Sequence, residues 1–325
     1  MIKKKILNFL FILEPLDTLV IKKDTSFMFM LEAQKRGHAV YCAFDGDLFL
    51  NHHQLFVQAA AVGVKKSETQ PFVQQPVTTL AEEDIDIIFI RWDPPFDERY
   101  LINTWILDQA ASRIPMINHP KGIRCVNEKI WTSQFREIIP PTFIGCQKEA
   151  VYAFLDQYKE IVIKPTNGFG GQSVFQVRRS DSNCNVILET MTAAWHRDVV
   201  LQKYVPESTE GDKRILLLNG EPLGAVLRLH SASDPRNNFY SGGRPVKAQI
   251  NERDRVIMHE LKPKLNELGL YFVGLDIMGG YLIEVNVTSP TCLQEINALN
   301  KVHLETQVID LAEKLIDQKR SLHRI

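Results

Sequence analysis

The sequence predicts an α/β protein that begins with a parallel α/β domain and continues as antiparallel, α+β structure. Predicted strands and helices alternate in the order strand, helix, strand near the start of the chain, which is the order of a parallel sheet. Asn219-Gly220 and Gly279-Gly280 each separate two short apolar runs, a pattern typical of antiparallel hairpins. The 325 residues are enough for two or three domains.

Composition and charge argue against several classes of protein. The formal net charge is −1, so the whole chain has no electrostatic footprint for nucleic acid. The five cysteines form no CxxC pair and are odd in number, which argues against a disulfide framework or a zinc site and predicts a reducing, cytoplasmic location. No apolar run approaches the ~18 residues of a membrane span. We interpret the apolar start as a buried strand, since no signal-peptide cleavage site follows it.

Residues 1–122 are predicted to form the first domain. A buried strand is followed by a helix that can be capped at residues 24–26 and that ends at Gly37. Residues 51–80 can be a hairpin or a loop excursion, and the sequence leaves both open. The other predicted elements are the strands Ala39–Phe44, Ile85–Ile90 and Ile114–Asn118 and the helix Tyr100–Ala111, and the polar segment Asn118–Arg124 is taken as the boundary.

Arg91 and Asp93 lie just past the end of the strand Ile85–Ile90. Ligands of open α/β sheets bind at the carboxyl ends of the strands, so both residues are site candidates. The alternative is a salt-bridged turn before the next helix, and spacing alone favours that alternative.

Residues 123–205 are predicted to form a second unit with a phosphate-binding candidate. Lys164 closes an apolar strand, so its charge must reach water or an anion. Gly168, Gly170 and Gly171 follow, and glycines let backbone N–H groups approach a phosphate closely. A strand comes next rather than a helix, which predicts a hairpin tip over a ligand and not a P-loop. The predicted helices are Glu128–Glu137, Glu149–Tyr158 and Val186–Trp195, and the strands are Ile161–Pro165, Val174–Val177 and Val199–Pro206.

Residues 206–325 are predicted to form a third unit with a long loop at 229–244. That loop contains almost no aliphatic residues but carries Arg236 and Arg244, which predicts a lid that closes over anions. The predicted strands Ile215–Leu218 and Leu223–Leu229 precede it, and the predicted helices Asp254–Leu268, Glu295–Leu299 and His303–Lys319 follow.

The hairpin within Tyr271–Thr291 contains three polar residues that do not suit a plain buried strand. Asp276 interrupts its first apolar run, and Glu284 and Asn286 interrupt the second at alternate positions, on one face. Two carboxylates and an amide supply oxygen-only ligands, which suit Mg²⁺. The alternative is a buried hairpin whose acids are solvated at the strand ends, and this stretch alone supports both equally.

The register of this hairpin provides a test of the metal hypothesis. A two-residue loop at Gly279-Gly280 would pair residue 276 with 283 and place Asp276 on the face opposite Glu284. A shared metal therefore requires a bulge or an odd-length loop, which glycine permits.

Taken together, these features describe a site for a nucleoside triphosphate and Mg²⁺. Lys164 and the glycine-rich hairpin would hold phosphates, and the basic residues Arg214 and Arg228 and the lid would surround them. The Asp276, Glu284 and Asn286 oxygens would hold metal, and metals neutralise charge as phosphate is transferred.

Several long motifs follow one another in a fixed order over nearly the whole chain. They are KDTSFMFMLEAQKRG, IRWDPPFD, RCVNEK, IVIKPTNGFGGQSVF, GDKRILLLNGEP, the Arg236–Arg244 loop with its GGR end, and VGLDIMGGYLIEVNVTSPTC. These motifs resemble those of the ATP-grasp ligases, and closely those of the bacterial glutathione synthetase family, and their length and order make the resemblance specific.

The resemblance implies an ATP-grasp fold, in which two α+β subdomains clasp ATP, behind a Rossmann-like N-terminal domain. It implies ligation of γ-glutamylcysteine to glycine with release of ADP and phosphate. ATP would phosphorylate the cysteinyl carboxylate, and the glycine amine would attack the acyl phosphate. It also implies two Mg²⁺ ions, with Mn²⁺ as an alternative, and a homodimer or homotetramer, with no nucleic acid or membrane partner.

Site residues follow from the resemblance by motif. Lys129 and Lys164 would bind ATP phosphates under the covering loop, and Asp276, Glu284 and Asn286 would bind metal. Gln202, Lys203, Tyr204 and Val205 would meet adenine, mostly by backbone, and Asp212 would belong to the nucleotide site. Arg214 and Arg228 would stabilise the transferring phosphoryl group, with Arg236, Asn238, Gly242, Gly243 and Arg244 in the lid. The peptide and glycine sites would be bordered by Asp24, Ser26, Arg91, Asp93, Ser289, Pro290 and Thr291.

The chain departs from the family pattern at a few positions. Glu14-Pro15 stands where Asp-Pro is usual, Lys203 stands in place of an expected Asn, and Phe239-Tyr240 are bulky for a lid. These departures bear on substrate affinity and lid kinetics more than on reaction class.

Two other functions are compatible with parts of the pattern. One is an ATP-grasp ligase of the D-alanine–D-alanine or peptide-modifying type, from which the KDTS and WDPPFD stretches would distinguish this chain. The other is a nucleotide-binding regulator without turnover, which would have no need for the full Asp276, Glu284 and Asn286 set.

Overall fold

The computed structural model of the protein describes residues 5–168, 170–229 and 243–322. Over these residues the strands form one 7-stranded, one 4-stranded and one 5-stranded sheet. Each sheet lies within one of the three predicted segments, and the mixed α/β architecture predicted from the sequence is confirmed. The division into domains at 122 and 205 stays a proposal.

The first sheet has a parallel centre, as the strand–helix–strand order predicts. Strands β2, β1, β6 and β7 are adjacent and parallel, and the antiparallel strands β3, β4 and β5 extend the sheet beyond β2. The elements of this unit are β1 (Asn8–Ile12), α1 (Thr25–Lys35), β2 (Ala39–Ala43), β3 (Leu48–Asn51), β4 (Gln54–Val64), β5 (Phe72–Ala81), β6 (Ile87–Ile90), α2 (Glu98–Asp108), β7 (Met116–Ile117) and α3 (Pro120–Cys125).

The structure shows how two regions of this unit fold that the sequence left open or interpreted differently. Residues 51–80, left open above, form the antiparallel hairpin of β4 and β5. The segment Asn118–Arg124, interpreted as a polar boundary, instead contains α3, whose first residue is Pro120 and whose cap is His119. Proline is compatible with the first turn of a helix, because that turn needs no intrahelical N–H donor.

The second sheet is antiparallel, in the order β10-β9-β11-β8. Strands β9 and β10 pair directly, so the glycine-rich segment between them is the tip of a hairpin, as predicted. The strand β8 was not predicted. The elements are β8 (Thr142–Gly145), α4 (Lys148–Tyr158), β9 (Glu160–Pro165), β10 (Phe175–Arg178), α5 (Cys184–Met191) and β11 (Val199–Lys203).

The predicted helix Glu128–Glu137 is wrong for most of its length. Only a short 3-10 helix forms there, at Trp131–Gln134. The Asn127 side chain accepts the Lys129 and Ile130 N–H groups, and the Glu128 carbonyl accepts the Val285 N–H at 3.0 Å. The Asn127 contacts are those of a helix N-cap. The Glu128 carbonyl, however, would have to accept an N–H within an α-helix, and here it binds Val285, so a tertiary contact overrides local helix propensity.

The third sheet is antiparallel, in the order β14-β13-β12-β15-β16. Leu229 of β13 pairs with Arg244 of β14, so the loop between them starts and ends on adjacent strands. The elements are β12 (Asp212–Leu218), β13 (Glu221–Leu229), β14 (Arg244–Lys247), α6 (Glu252–Glu267), β15 (Phe272–Met278), β16 (Tyr281–Asn286), α7 (Leu293–Asn300) and α8 (Glu305–Leu322).

The apolar cores join the first and third sheets and leave the second with a core of its own. Ile88 and Ile90 of β6 share one buried cluster with Leu275 and Val285 of the third sheet. The second sheet has a separate cluster, which includes Val151 of α4. Across the described residues, no helix is both long and apolar enough to cross a membrane.

Candidate active site

The second and third sheets face each other across a cleft of about 360 Å³. Asp93 and Pro94 of the loop after β6 and residues of the loop after β16 also line it, so loops that follow strands of the first and third sheets contribute to its wall. The predicted site residues on this wall are Asp93, Lys129, Lys164, Gly168, Gly170, Gly171, Gln202, Lys203, Tyr204, Val205, Asp212, Arg214, Arg228, Asp276, Glu284, Asn286, Ser289, Pro290 and Thr291.

A bulge in the β15–β16 hairpin places the three predicted metal ligands together. The turn itself is a tight two-residue turn, because Met278 pairs with Tyr281, and the bulge that a shared site requires lies in the strand pairing just beyond it. The pairing then shifts, so that Asp276 lies opposite Glu284 and Ile283 is the extra residue. Asn286 Nδ2 is 3.5 Å from Asp276 Oδ2. The three side chains thus lie on one face of the hairpin, and the two carboxylates and the amide that they carry offer oxygen ligands of the kind that suit a hard divalent cation.

Asp276 belongs to a buried network of two arginines and two aspartates. Arg214 binds it through Nε at 2.5 Å and Nη2 at 2.9 Å, and Arg228 Nη2 lies 3.0 Å from its Oδ2. Arg228 also forks onto Asp212. Burial alone would raise the pKa of Asp276, but the two guanidiniums hold that pKa well below its usual range. Asp276 is therefore ionised, and both arginines are fixed at the cleft wall.

The two candidate phosphate-binding lysines line the cleft near the same carboxylate, that of Glu284. Lys129 Nζ lies 3.1 Å from Glu284 Oε1 and also donates to the Gly168 carbonyl at the base of the glycine-rich tip. Lys164 Nζ points across to the Ile283 carbonyl at 3.5 Å. Burial, with a contribution from the charge of Lys129, lowers the pKa of Lys164 to about 8. Two ammonium groups and a glycine loop therefore converge where phosphates would bind.

The predicted adenine segment lies at the end of β11, where two of its backbone N–H groups bind within the fold. The N–H groups of Lys203 and Tyr204 donate to the Pro141 and Glu160 carbonyls inside the fold, at 2.9 and 3.1 Å. The Gln202 side chain donates to Thr142 Oγ1 at 3.2 Å. A base in this part of the cleft would therefore need partners other than the Lys203 and Tyr204 N–H groups.

Asp24, Ser26 and Arg91 lie behind the wall of the cleft instead of on it. Arg91 is buried and donates to Ser26 Oγ and to the Pro290 carbonyl, both at 2.9 Å. Asp24 caps α1 by accepting the Phe27 N–H at 2.5 Å. These residues thus support the loop that contains Pro290, whereas Asp93 reaches the cleft directly.

The remaining predicted residues belong to the 229–244 loop. Arg244 begins β14 with an exposed side chain, and it and Gly243 are not among the described residues that line the cleft. Arg236, Asn238 and Gly242 lie outside the described residues, so their assignment to a lid stays a prediction.

Sequence reasoning missed Glu128 and the apolar part of the wall. Glu128 lines the cleft beside Lys129, and burial and the nearby Glu284 charge raise the pKa of its carboxyl. The sequence feature that could have identified Glu128 is its position next to Lys129 in the RCVNEK motif. The apolar residues of the wall include Val162, Val174, Met278 and Ile283. The local sequence pattern of a strand does not show whether an apolar side chain faces a cleft or the protein core.

We expect Gly274→Ala to lower the free energy of unfolding by about 1–3 kcal/mol. A Cβ at residue 274 would lie 2.9 Å from Pro290 Cβ and 3.2 Å from Arg214 Nη1. A proline ring cannot rotate away, so the loop or the arginine must move. Urea denaturation measures the change. Gly63→Ala in β4 is the matched control, because its nearest neighbour atoms are 3.7 Å away. An equal effect of both substitutions would contradict the steric argument.

Sequence comparisons identify the family to which the chain belongs. The prokaryotic glutathione synthetase N-terminal domain matches residues 7–124, and the prokaryotic glutathione synthetase ATP-grasp domain matches residues 128–301. A glutathione synthetase of Gloeobacter violaceus is 40% identical over 310 residues, covering 94% of this chain and 96% of that protein. The glutathione synthetase of Escherichia coli (strain K12) is 37% identical over 310 residues, covering 95% and 98%.

Solved structures of other ligases share the fold. D-cycloserine synthetase DcsG superimposes with a TM-score of 0.65 at 15% identity, covering 94% of this chain and 99% of that one. The D-alanine–D-alanine ligase of Bacillus anthracis, complexed with ATP, has a TM-score of 0.58 at 14% identity, covering 97% and 99%. At such identities the likeness concerns the fold alone, which is that of the ATP-grasp ligases. The sequence matches are more specific, and they show that this chain belongs to the prokaryotic glutathione synthetase family.

Proposed function

We propose that the protein ligates γ-L-glutamyl-L-cysteine to glycine, forming glutathione, ADP and phosphate from ATP. The observation that carries this proposal is the cleft, which combines lysines and glycines for phosphate, an oxygen-ligand face and two fixed arginines in a member of this family. The position of each group of residues in the cleft indicates which substrate it would bind. ATP would enter between the second and third sheets, and the dipeptide and glycine would bind towards Asp93 and the loop after β16.

The first step transfers a phosphoryl group to the dipeptide. A cysteinyl carboxylate oxygen attacks the γ-phosphorus, the bond to ADP breaks, and an acyl phosphate forms. Lys129 and Lys164 bind the phosphates, and the guanidiniums of Arg214 and Arg228 stabilise the charge on the transferring group. Because Asp212 and Asp276 already hold these arginines in place, little reorganisation is needed as the charge moves.

Asp276, Glu284 and Asn286 would hold the divalent cations. When bound, a cation neutralises charge on the phosphate oxygens. We propose two Mg²⁺ ions, with Mn²⁺ as a substitute, because oxygen ligands suit both. Ionised Asp276 is ready to bind a cation, although a cation would have to share this carboxylate with Arg214 and Arg228.

The second step joins glycine to the activated dipeptide. The glycine amine attacks the carbonyl carbon, phosphate leaves with the electrons of the C–O bond, and the amine loses a proton. No enzyme nucleophile is required. Cys292 lines the cleft, but burial raises the pKa of its thiol, so it stays protonated and structural. The homodimer or homotetramer and the cytoplasmic location expected from the resemblance stay predictions.

Product analysis tests the proposal. The purified chain, incubated with ATP and Mg²⁺, should release ADP and form glutathione from γ-glutamylcysteine and glycine, but should release no ADP with two D-alanines. ADP release only with D-alanine would support the alternative ligase class, and ATP binding without any turnover would support a regulator. The curated relatives favour the first outcome, since the D-alanine ligase shares only the fold.

The pKa of Lys164 predicts how ATP binding depends on pH. Its pKa is lowered to about 8, so it is charged at pH 7 and loses its proton as the pH rises through 8. Deprotonation removes a positive charge from the phosphate site, so KM for ATP should rise, approaching tenfold per pH unit above about 8. Initial rates at pH 6.5–9.5 measure this. Lys164→Arg keeps its charge over that range, and an equal rise in this variant would contradict the assignment.

A further inference from the structure

We infer that Glu128 is a positioning residue that fixes the loop Val287–Thr291 at the end of the metal-binding strand β16. The inference rests on the proposed function, because that loop borders the proposed peptide and glycine sites. Glu128 lies between α3 and the 3-10 helix Trp131–Gln134, and none of the roles proposed above uses its carboxylate.

One carboxylate oxygen of Glu128 accepts three hydrogen bonds from two consecutive residues. Its Oε1 accepts the Val287 N–H at 2.8 Å, the Thr288 N–H at 3.2 Å and the Thr288 hydroxyl at 3.0 Å. Its backbone carbonyl accepts the Val285 N–H at 3.0 Å. Glu128 therefore binds Val285 inside β16 and also Val287 and Thr288, the first two residues beyond it. The pairing of β16 with β15 ends at Asn286, just before these two residues.

Two other buried side chains hold the same loop from the N-terminal part of the chain. Asn118 Nδ2 donates to the Val287 carbonyl at 2.8 Å, so both backbone polar groups of Val287 are bound by side chains. Arg91 Nη2 donates to the Pro290 carbonyl at 2.9 Å. The loop is thus fixed at successive points by polar side chains instead of by sheet pairing. Its shape depends on those side chains, and Glu128 binds the residues nearest to the metal ligands.

The hydrogen bonds, and not the negative charge, are what this position requires. The Glu284 carboxylate lies close enough to make the charge of Glu128 unfavourable. An apolar side chain, however, would leave two N–H groups and a hydroxyl without their acceptor. Glutamine retains one oxygen at the same place, so Glu128→Gln should preserve the loop, whereas Glu128→Leu should release it.

Lys129, the neighbouring phosphate-binding candidate, is held independently of the Glu128 side chain. The Lys129 N–H donates to Asn127 Oδ1 at 3.1 Å, and its Nζ pairs with Glu284. Loss of the Glu128 carboxylate should therefore disturb the peptide and glycine sites more than the ATP site. A merely structural carboxylate would affect all three substrates alike.

Steady-state kinetics of the full chain test the inference, with each substrate varied in turn. Glu128→Leu should raise KM for glycine and γ-glutamylcysteine by about tenfold. It should change KM for ATP by less than about twofold, and Glu128→Gln should stay within about twofold of the parent in all three. A common rise in all three KM values would overturn the inference. So would a Glu128→Gln variant as impaired as Glu128→Leu.

Thr288→Val provides a milder version of the test if Glu128→Leu does not fold. It removes only the hydroxyl that donates to Glu128, and it should raise the same two KM values by a few-fold. The effects of Thr288→Val and Glu128→Leu should not add, because both break one cluster. Unchanged KM values in Thr288→Val would count against the inference. Failure of the parent itself to ligate the two substrates would instead refute the proposed function.

Discussion

Replacing Glu284 by glutamine is expected to lower kcat by at least about a hundredfold while the protein stays folded. Glu284 lies opposite Asp276 on the bulged hairpin, and it is one of two carboxylates that would hold the divalent cation. Glutamine keeps the size of the side chain and one oxygen but removes the charge that balances a metal ion. The loss should appear in turnover more than in KM for glycine, because the cation acts on the phosphate oxygens.

Lys129 complicates this experiment and supplies its control. Lys129 Nζ pairs with Glu284 Oε1 at 3.1 Å, so Glu284 could act only by holding that lysine. Lys129→Met separates the two roles. The Mg²⁺ concentration that gives half-maximal rate should rise in Glu284→Gln and should stay near the parental value in Lys129→Met. A folded Glu284→Gln enzyme with parental turnover and Mg²⁺ dependence would refute the metal role.

The sequence singled out the three polar residues of the hairpin, which the structure places together, because they conflict with their surroundings. Asp276, Glu284 and Asn286 stand among apolar strand residues, and such a conflict marks a functional site. The need for a register shift also followed from the two-residue alternation of strands. Its location did not, because the turn at Gly279-Gly280 is tight and the shift occurs afterwards, at Ile283. An irregular turn and a tight turn followed by a bulge both place Asp276 on the same face as Glu284. Only tertiary packing distinguishes these two arrangements.

Elsewhere the prediction depended on whether local or distant contacts decide the structure. The hairpin at Asn219-Gly220 is local, and it formed with both residues at positive φ, as a type I′ turn requires. The segment after Asn127 was mispredicted because its backbone groups bind β16, about 150 residues away. Arg91 was similarly hard to place. Its position just after the end of a strand predicts a ligand site. Its side chain instead lies behind the cleft wall, bound to Ser26 and Pro290, and both of these partners are distant in sequence.

Arg228→Lys is expected to lower kcat by roughly two to three orders of magnitude. Arg228 forks onto Asp212, with Nη2 at 2.7 Å from its Oδ2, and the same Nη2 lies 3.0 Å from Asp276. The planar guanidinium is thereby held on two carboxylates at the cleft wall. Lysine carries the same charge but cannot make a fork, so its ammonium would not be fixed where charge develops during phosphoryl transfer. Asp212→Asn, which loosens this grip and leaves the guanidinium present, should have a smaller effect on kcat.

Stability must be measured alongside turnover, because Arg228 is buried and its loss leaves Asp212 poorly paired. Lys213→Met is the matched control, because Lys213 follows Asp212 on β12. Lys213 pairs with buried Asp254 of α6 at 2.6 Å, on the other face of β12 from Arg214. Both substitutions should lower the free energy of unfolding, but only Arg228→Lys should lower kcat. If kcat stays at the parental value in both folded variants, the network of arginines and aspartates stabilises the sheet and takes no part in phosphoryl transfer.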